Sequence, residues 1–254
     1  MNKIKYFLFA FFLVFSFYFT DQVLLYIDNK SPLMQVINNV EDNYNIKAVN
    51  AVIKDNTIIP GIKGKTINKH KSLLKMQEFG TFNELYLIYD YINPDISINN
   101  NKDKIIIKGN EIKREVSLVL EENEELEKYL EITNINYSLL CNLNSNLLIE
   151  REYINAENNY QKFSDLNTIL NKKSLNNNLC FLNYSNLAYC QNHGYFLVSP
   201  TLNTNNKAEL LRKLNSGDII LINKNTSLET LKLVLNEINK LDLKIVYLSK
   251  LISE

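Results

Sequence analysis

Arg114-Glu-Val-Ser-Leu-Val-Leu120, running straight into Glu121-Glu-Asn-Glu-Glu-Leu-Glu127, is the stretch on which the fold turns. A short, nearly continuous apolar run reads as a strand covered on both faces, and no linker separates it from the acidic helix expected over Glu124–Ile132. The same alternation continues downstream. Strands are expected at Ile135–Cys141, Leu179–Leu182, Tyr195–Ser199, Asp218–Ile222 and Lys244–Leu248. Between them fall helices near Tyr160–Leu170, Leu187–Asn192 (closed by Gly194), Lys207–Leu214 (closed by Gly217) and Ser227–Leu241. The last helix carries a capping box, Thr226 with Glu229, and sets Leu228, Leu231, Val234, Leu235 and Ile238 on one face. Repeated β-α units with apolar strands imply an α/β fold with a parallel sheet under helices, whose chemistry belongs at the carboxyl ends of the strands.

Upstream the pattern is different. Residues 28–112 read as a small α+β region: a helix opened by Ser31-Pro32, short β-runs at Val49–Ile53 and Thr57–Pro60, a helix near Asn68–Phe79, and extended segments at Leu85–Tyr91 and Ile96–Ile98. Asn93–Lys104, rich in Asn, is the best internal boundary in this part. At the N-terminus, Lys3 and Lys5 precede Tyr6–Thr20, which has no charge and seven Phe. Tyr6–Ile27 as one helix measures about 33 Å, the thickness of a hydrocarbon core. No small-x-small cleavage site follows the run, so an uncleaved signal anchor over residues 1–27 is expected rather than a removed signal peptide. Lysines before the uncharged run and Asp21 and Asp28 after it suggest that the bulk of the chain lies outside a single-pass cell membrane.

The 254 residues hold 28 basic and 28 acidic side chains, a balance that excludes a basic nucleic-acid-binding face. Asn occupies 40 positions, so sequons such as Asn225-Thr226-Ser227 arise by chance. The cysteines are Cys141, Cys180 and Cys190. Cys180 and Cys190 are a candidate disulfide; the alternative is three unpaired, buried thiols. No C-x-x-C pair, nucleophile elbow, Walker loop or G-x-G-x-x-G is present. Tyr137, Tyr153, Tyr160, Tyr184 and Tyr189 are candidates for a sugar-stacking groove, or ordinary core and rim packing.

Taken in order, the strand ends of residues 113–254 resemble the NodB homology domain of polysaccharide deacetylases, carbohydrate esterase family 4. Val116-Ser-Leu-Val-Leu-Glu121-Glu122-Asn123 occupies the frame of the family's T-F-D-D-G strand, and Asn136-Tyr-Ser-Leu-Leu-Cys141 that of its second strand. Gln191-Asn-His-Gly194-Tyr195 matches a helix ending in L-G-Y. Gly217-Asp-Ile-Ile-Leu-Ile-Asn223 follows the G-x-I-I-L-L-H strand, and Lys244-Ile-Val-Tyr-Leu-Ser249 the terminal motif. The resemblance implies a NodB-like incomplete (β/α) barrel over 113–254, preceded by the anchor (1–27) and the membrane-proximal region (28–112).

The resemblance also implies a site, and this chain departs from it. The family holds a divalent metal, usually zinc, with one Asp and the two His of H-x-x-x-H; a second Asp acts as base and a strand-six His as acid. Glu121 and Glu122 stand for the paired Asp, Asn223 for the acid, and Ile149–Tyr160, where the imidazoles belong, contains none. The only histidines are His70, ahead of the matched region, and His193, expected as a helix cap. Glu121 and Glu122 also suit the first turn of a helix, where the dipole stabilises negative charge. No metal ligands and no cofactor are therefore expected, and the three motif positions read as vestigial. The expected function is that of a catalytically silent, membrane-anchored extracellular protein binding cell-wall glycan or a wall-associated protein. The alternative is a hydrolase of acetamide C–N bonds in wall polysaccharide, with zinc in an unconventional site on Glu121 and Glu122. A third reading is an unrelated flavodoxin-like module, which would show strand order 2-1-3-4-5.

Overall fold

The computed structural model describes residues 2–148 and 151–254. In chain order its first elements are α1 (Asn2–Lys30), α2 (Pro32–Tyr44), β1 (Val52–Lys54), β2 (Thr57–Ile59), β3 (Gly64–Ile67), α3 (Lys69–Gln77), β4 (Tyr89–Ile92) and β5 (Ile105–Ile106). Then follow β6 (Glu115–Glu121), α4 (Glu124–Ile132), β7 (Ser138–Cys141), β8 (Glu152–Asn155), α5 (Tyr160–Lys172), β9 (Leu179–Phe181) and α6 (Leu187–Asn192). The chain ends with β10 (Phe196–Val198), β11 (Leu202–Asn203), α7 (Lys207–Lys213), β12 (Ile219–Ile222), α8 (Leu228–Lys240), β13 (Lys244–Ile245) and α9 (Leu248–Ile252). Two compact units result: residues up to Ala48 with Lys63–Ile92, and Val49–Ile62 with Asn93–Glu254.

In the first unit, Lys5–Lys30 forms a helix of mean hydropathy 1.8, long and apolar enough to cross a membrane. Pro32 starts α2, and Ser31 caps it by accepting from the Met34 amide at 3.1 Å. Met34 and Ile37 of α2 meet Leu73 and Met76 of α3 over Ile67 and Leu87, a small core beside the antiparallel β3–β4 pair.

The second unit is mixed α/β with parallel strands. One sheet runs β11-β12-β6-β7-β8, with β13 also on β6; the other runs β1-β2-β5-β10-β9. All pairings in both are parallel except the β1–β2 hairpin. β6 shows why its sequence reads as buried on both faces. Val116, Leu118 and Leu120 enter the outer core with α4 and α8, while Val119 enters an inner core shared with β7–β10, β12 and α9. The glycine ahead of β12 is required: Gly217 has φ +86°, and a Cβ there would stand 2.4 Å from the Gly109 carbonyl oxygen.

Several expectations are corrected. The boundary placed after residue 112 falls elsewhere, because β2 and β10 both pair with β5, and the Glu254 carboxylate accepts from the amides of Gly61 (3.2 Å) and Ile98 (2.9 Å). Residues 49–62 and 93–112 are thus parts of the main unit. The main unit holds two hydrogen-bonded sheets where one parallel sheet was expected, and neither closes into a ring among the described residues. β8 was not foreseen, and Leu248, expected to end a strand, begins α9. The run expected to be extended over Leu85–Tyr91 starts instead in a 3-10 turn at Glu84–Tyr86. The order β12-β6-β7-β8 places the first main strand beside both the second and the last, which rejects the flavodoxin-like reading.

Candidate functional site

The carboxyl ends of β6, β7, β8, β9 and β12 open onto one rim, and β6 delivers two carboxylates to it. Asn123 turns the chain from β6 into α4: its side chain accepts from the Leu126 amide (3.2 Å) and donates to the Lys224 carbonyl (2.8 Å). That corner sends the neighbouring glutamates in different directions. Glu121, half-buried, accepts from the Tyr184 hydroxyl (2.6 Å) and from the Lys224 amide (2.7 Å). Glu122, exposed, accepts from Asn142 Nδ2 (3.3 Å) and from the Ser145 hydroxyl in the β7–β8 loop. Each carboxylate oxygen of the pair has a protein donor.

Asn223, just past β12, is equally engaged. Thr204 Oγ1 donates to its Oδ1 at 3.1 Å and accepts from its amide at 3.0 Å, and Thr204 and Thr226 hydroxyls lie 2.5 Å apart. This occupation of Thr226 explains why α8 is capped by Ser227, which accepts from the Thr230 amide at 3.3 Å, and not by the capping box read at Thr226.

The chain of β8 and its exit contribute no imidazole. Arg151 pairs with Glu127 (2.7 Å) and Glu131, Glu152 accepts from Ser138 Oγ and the Ser249 amide, and Ala156 packs on the inner core. Glu157 accepts from the Leu143 amide at 3.0 Å. Ile149 and Glu150, also within the stretch where ligands were sought, lie outside the described residues. His70 sits in the other unit, 3.5 Å from Asp28. His193 caps α6, its Nδ1 2.9 Å from the Tyr189 carbonyl and its ring stacked on Tyr189.

Sequence reasoning named Glu121 but not its partner geometry. Tyr184 lies in the loop between β9 and α6, and a disulfide joins Cys180 in β9 to Cys190 in α6 across it. Ser185 secures the same loop by donating to the Asn155 carbonyl at 2.6 Å. Burial, and then the hydrogen bond to Glu121, hold the Tyr184 phenol well above its ordinary pKa, so it remains a donor. Cys141, at the end of β7, is pushed up to about 12 by burial and by Glu122, which makes it an inert thiol.

The five tyrosines do not assemble one groove. Tyr153 is fully buried, Tyr137 and Tyr189 nearly so, Tyr184 is turned onto Glu121, and only Tyr160 is exposed. Catalytic zinc takes three protein ligands, chiefly imidazoles. Among the described residues no group of three His, Cys, Asp or Glu side chains could hold an ion. The donors at this rim therefore do not fit the metal that the resemblance implied.

No protein-family profile matches the chain. It is 32% identical over 141 residues to the uncharacterized protein YlxY of Bacillus subtilis (strain 168), a match spanning 50% of this chain and 44% of that protein. A CE4 family pseudoenzyme from Bacillus anthracis superposes with a TM-score of 0.62 at 16% identity, covering 89% of this chain and 96% of the other. The fold is polysaccharide-deacetylase-like. A mutant of that pseudoenzyme, described as having restored enzymatic activity, superposes at 0.61 with 15% identity, over 88% of this chain and 99% of its own. The likeness of fold to that pseudoenzyme covers nearly the whole chain, and Glu121, Glu122 and Asn223 lie at the rim described above.

Proposed function

We propose that this chain is a membrane-anchored, outward-facing protein whose deacetylase-like domain is catalytically silent and engages cell-wall glycan or a wall-associated protein. One observation carries the reading: Glu121, Glu122 and Asn223 are spent on Tyr184, Lys224, Ser145, Asn142 and Thr204, with no imidazole beside them. A carboxylate whose lone pairs are taken by fixed donors is a poor base and a poor metal ligand. The apolar α1 supports the anchor, and the Cys180–Cys190 disulfide supports an oxidising compartment outside the cell. The likeness to a pseudoenzyme is a likeness of fold and adds plausibility to silence without carrying it.

The test is made on purified full-length protein in detergent. Zinc content, acetate release from chitin oligomers and peptidoglycan, and retention on insoluble peptidoglycan are measured together. Silence predicts no bound zinc, no acetate with or without added metal, and retention on the wall material. Acetate release that disappears in Glu122→Ala would establish instead a hydrolase with an unconventional metal site.

A further inference from the structure

We infer that an apolar edge of the first unit, formed by Phe79, Leu85 and Tyr86, lies in the interfacial layer of the same bilayer that α1 crosses. This rests on the anchor reading and goes beyond it, since a helix can cross a membrane while the region after it stands clear in water. The uncharged run Tyr6–Thr20 is followed by Asp21 and Gln22, after which Val23–Ile27 keep the helix apolar, so Asp28 marks where the apolar character of α1 ends and the chain leaves hydrocarbon. Asp28 is held by α3: Gln77 Nε2 donates to one carboxylate oxygen at 3.3 Å, and His70 Nδ1 stands 3.5 Å from the other. These contacts fix α3 at the level of the headgroups.

Phe79 follows Gln77 by two residues, which keeps its backbone within about 7 Å of the Gln77 backbone. Its ring is exposed and stacks on Tyr86 with centroids 4.7 Å apart. Leu85, adjoining Tyr86, is 85% exposed, more than any other large apolar side chain among the described residues. Lys75 Nζ lies 5.4 Å above the Tyr86 ring. Exposed aromatic rings with a lysine beside them are the chemistry of the membrane–water boundary. Exposed Lys71 and Lys75 are offset by exposed Glu78 and by Glu84, the latter bonded to Tyr44, so apolar insertion and not anionic-lipid attraction drives the contact. A zwitterionic surface suffices.

The chain contains no Trp, so single reporters can be read directly. Full-length Phe15→Trp, Phe79→Trp and Leu85→Trp variants are reconstituted in phosphatidylcholine vesicles carrying bromines either near the headgroups or deep in the acyl chains. The expected result is loss of emission from F15W with deep bromines. F79W and L85W should emit at blue-shifted wavelengths, lose intensity with shallow bromines and resist aqueous iodide. If F15W is quenched by bromine while F79W and L85W stay red-shifted and open to iodide, the anchor stands and this inference falls. Shielding from iodide without bromine quenching would mean that a second copy or another protein covers the edge, which also overturns it. An unquenched F15W would remove the anchor and the inference together.

Discussion

The interior of the parallel sheet and the rim above it obey different rules. In β6, Val116, Leu118, Val119 and Leu120 are fully buried between two apolar cores, as any parallel α/β sheet requires. At the strand ends, polar side chains hold the rim together: Glu121 to Tyr184 and Lys224, Glu122 to Ser145 and Asn142, Asn223 to Thr204. The contrast teaches that a fold and its chemistry are separately specified. The fold depends on apolar alternation summed over many residues, whereas a metal site depends on three or four donors, so the first does not dictate the second.

The comparison can be broken most directly in the interior. Leu118→Ala should cost about 2–5 kcal/mol, because Leu118 is fully buried and the cavity it leaves is only partly refilled. Equilibrium urea unfolding measures it, and a cost below that of any rim variant would end the distinction drawn here. Next in size is the clamp on the rim. Cys180→Ser with Cys190→Ser should cost about 2–3 kcal/mol by loop-closure entropy, visible as a lower Tm, and dithiothreitol should lower the parent's Tm similarly while leaving the double variant unmoved.

Smaller effects sharpen the reading of the rim itself. Glu121→Ala leaves the Tyr184 hydroxyl and the Lys224 amide without their acceptor and should cost about 1–2 kcal/mol. If the carboxylate is structural, the loss appears in Tm with no change in acetate release. Tyr184→Phe should cost about 1 kcal/mol at neutral pH. Its pH dependence is more telling. Since the folded phenol has a pKa raised above 10.0, the stabilisation it contributes is complete below pH 10 and is lost as pH climbs through the folded value. The parent should therefore lose more stability than Tyr184→Phe on going from neutral to strongly alkaline pH, and parallel curves would refute the Tyr184–Glu121 contact.

Much of the fold was legible because it is written in local pattern. The apolar run of β6 followed at once by α4, the heptad-like face of α8, and the Ile219–Ile222 strand after Gly217 all required only spacing and turn chemistry. β8 was missed because its charges look like a loop: Arg151 and Glu152 are tolerated at a strand's start only since Glu127, Glu131, Ser138 and the Ser249 amide wait for them. The 28–112 region was mis-divided for a similar reason. β2 and β5 are two to three residues each and become strands only by pairing, Thr57 and Ile58 with Ile105 and Ile106, and β5 in turn with β10.

By itself the sequence determined the composition of the rim and the class of the fold: which donors exist, that imidazoles are missing between Cys141 and Tyr160, and that apolar strands alternate with amphipathic helices. Those properties belong to residues and their neighbours along the chain. Only the tertiary structure decided what each donor is spent on, because the partners of Glu121 lie 63 and 103 residues away and Glu122 finds Ser145 across a loop. A hydrogen bond acts over about 3 Å in space and is indifferent to distance along the chain, so no reading of order and spacing could have assigned Tyr184 to Glu121.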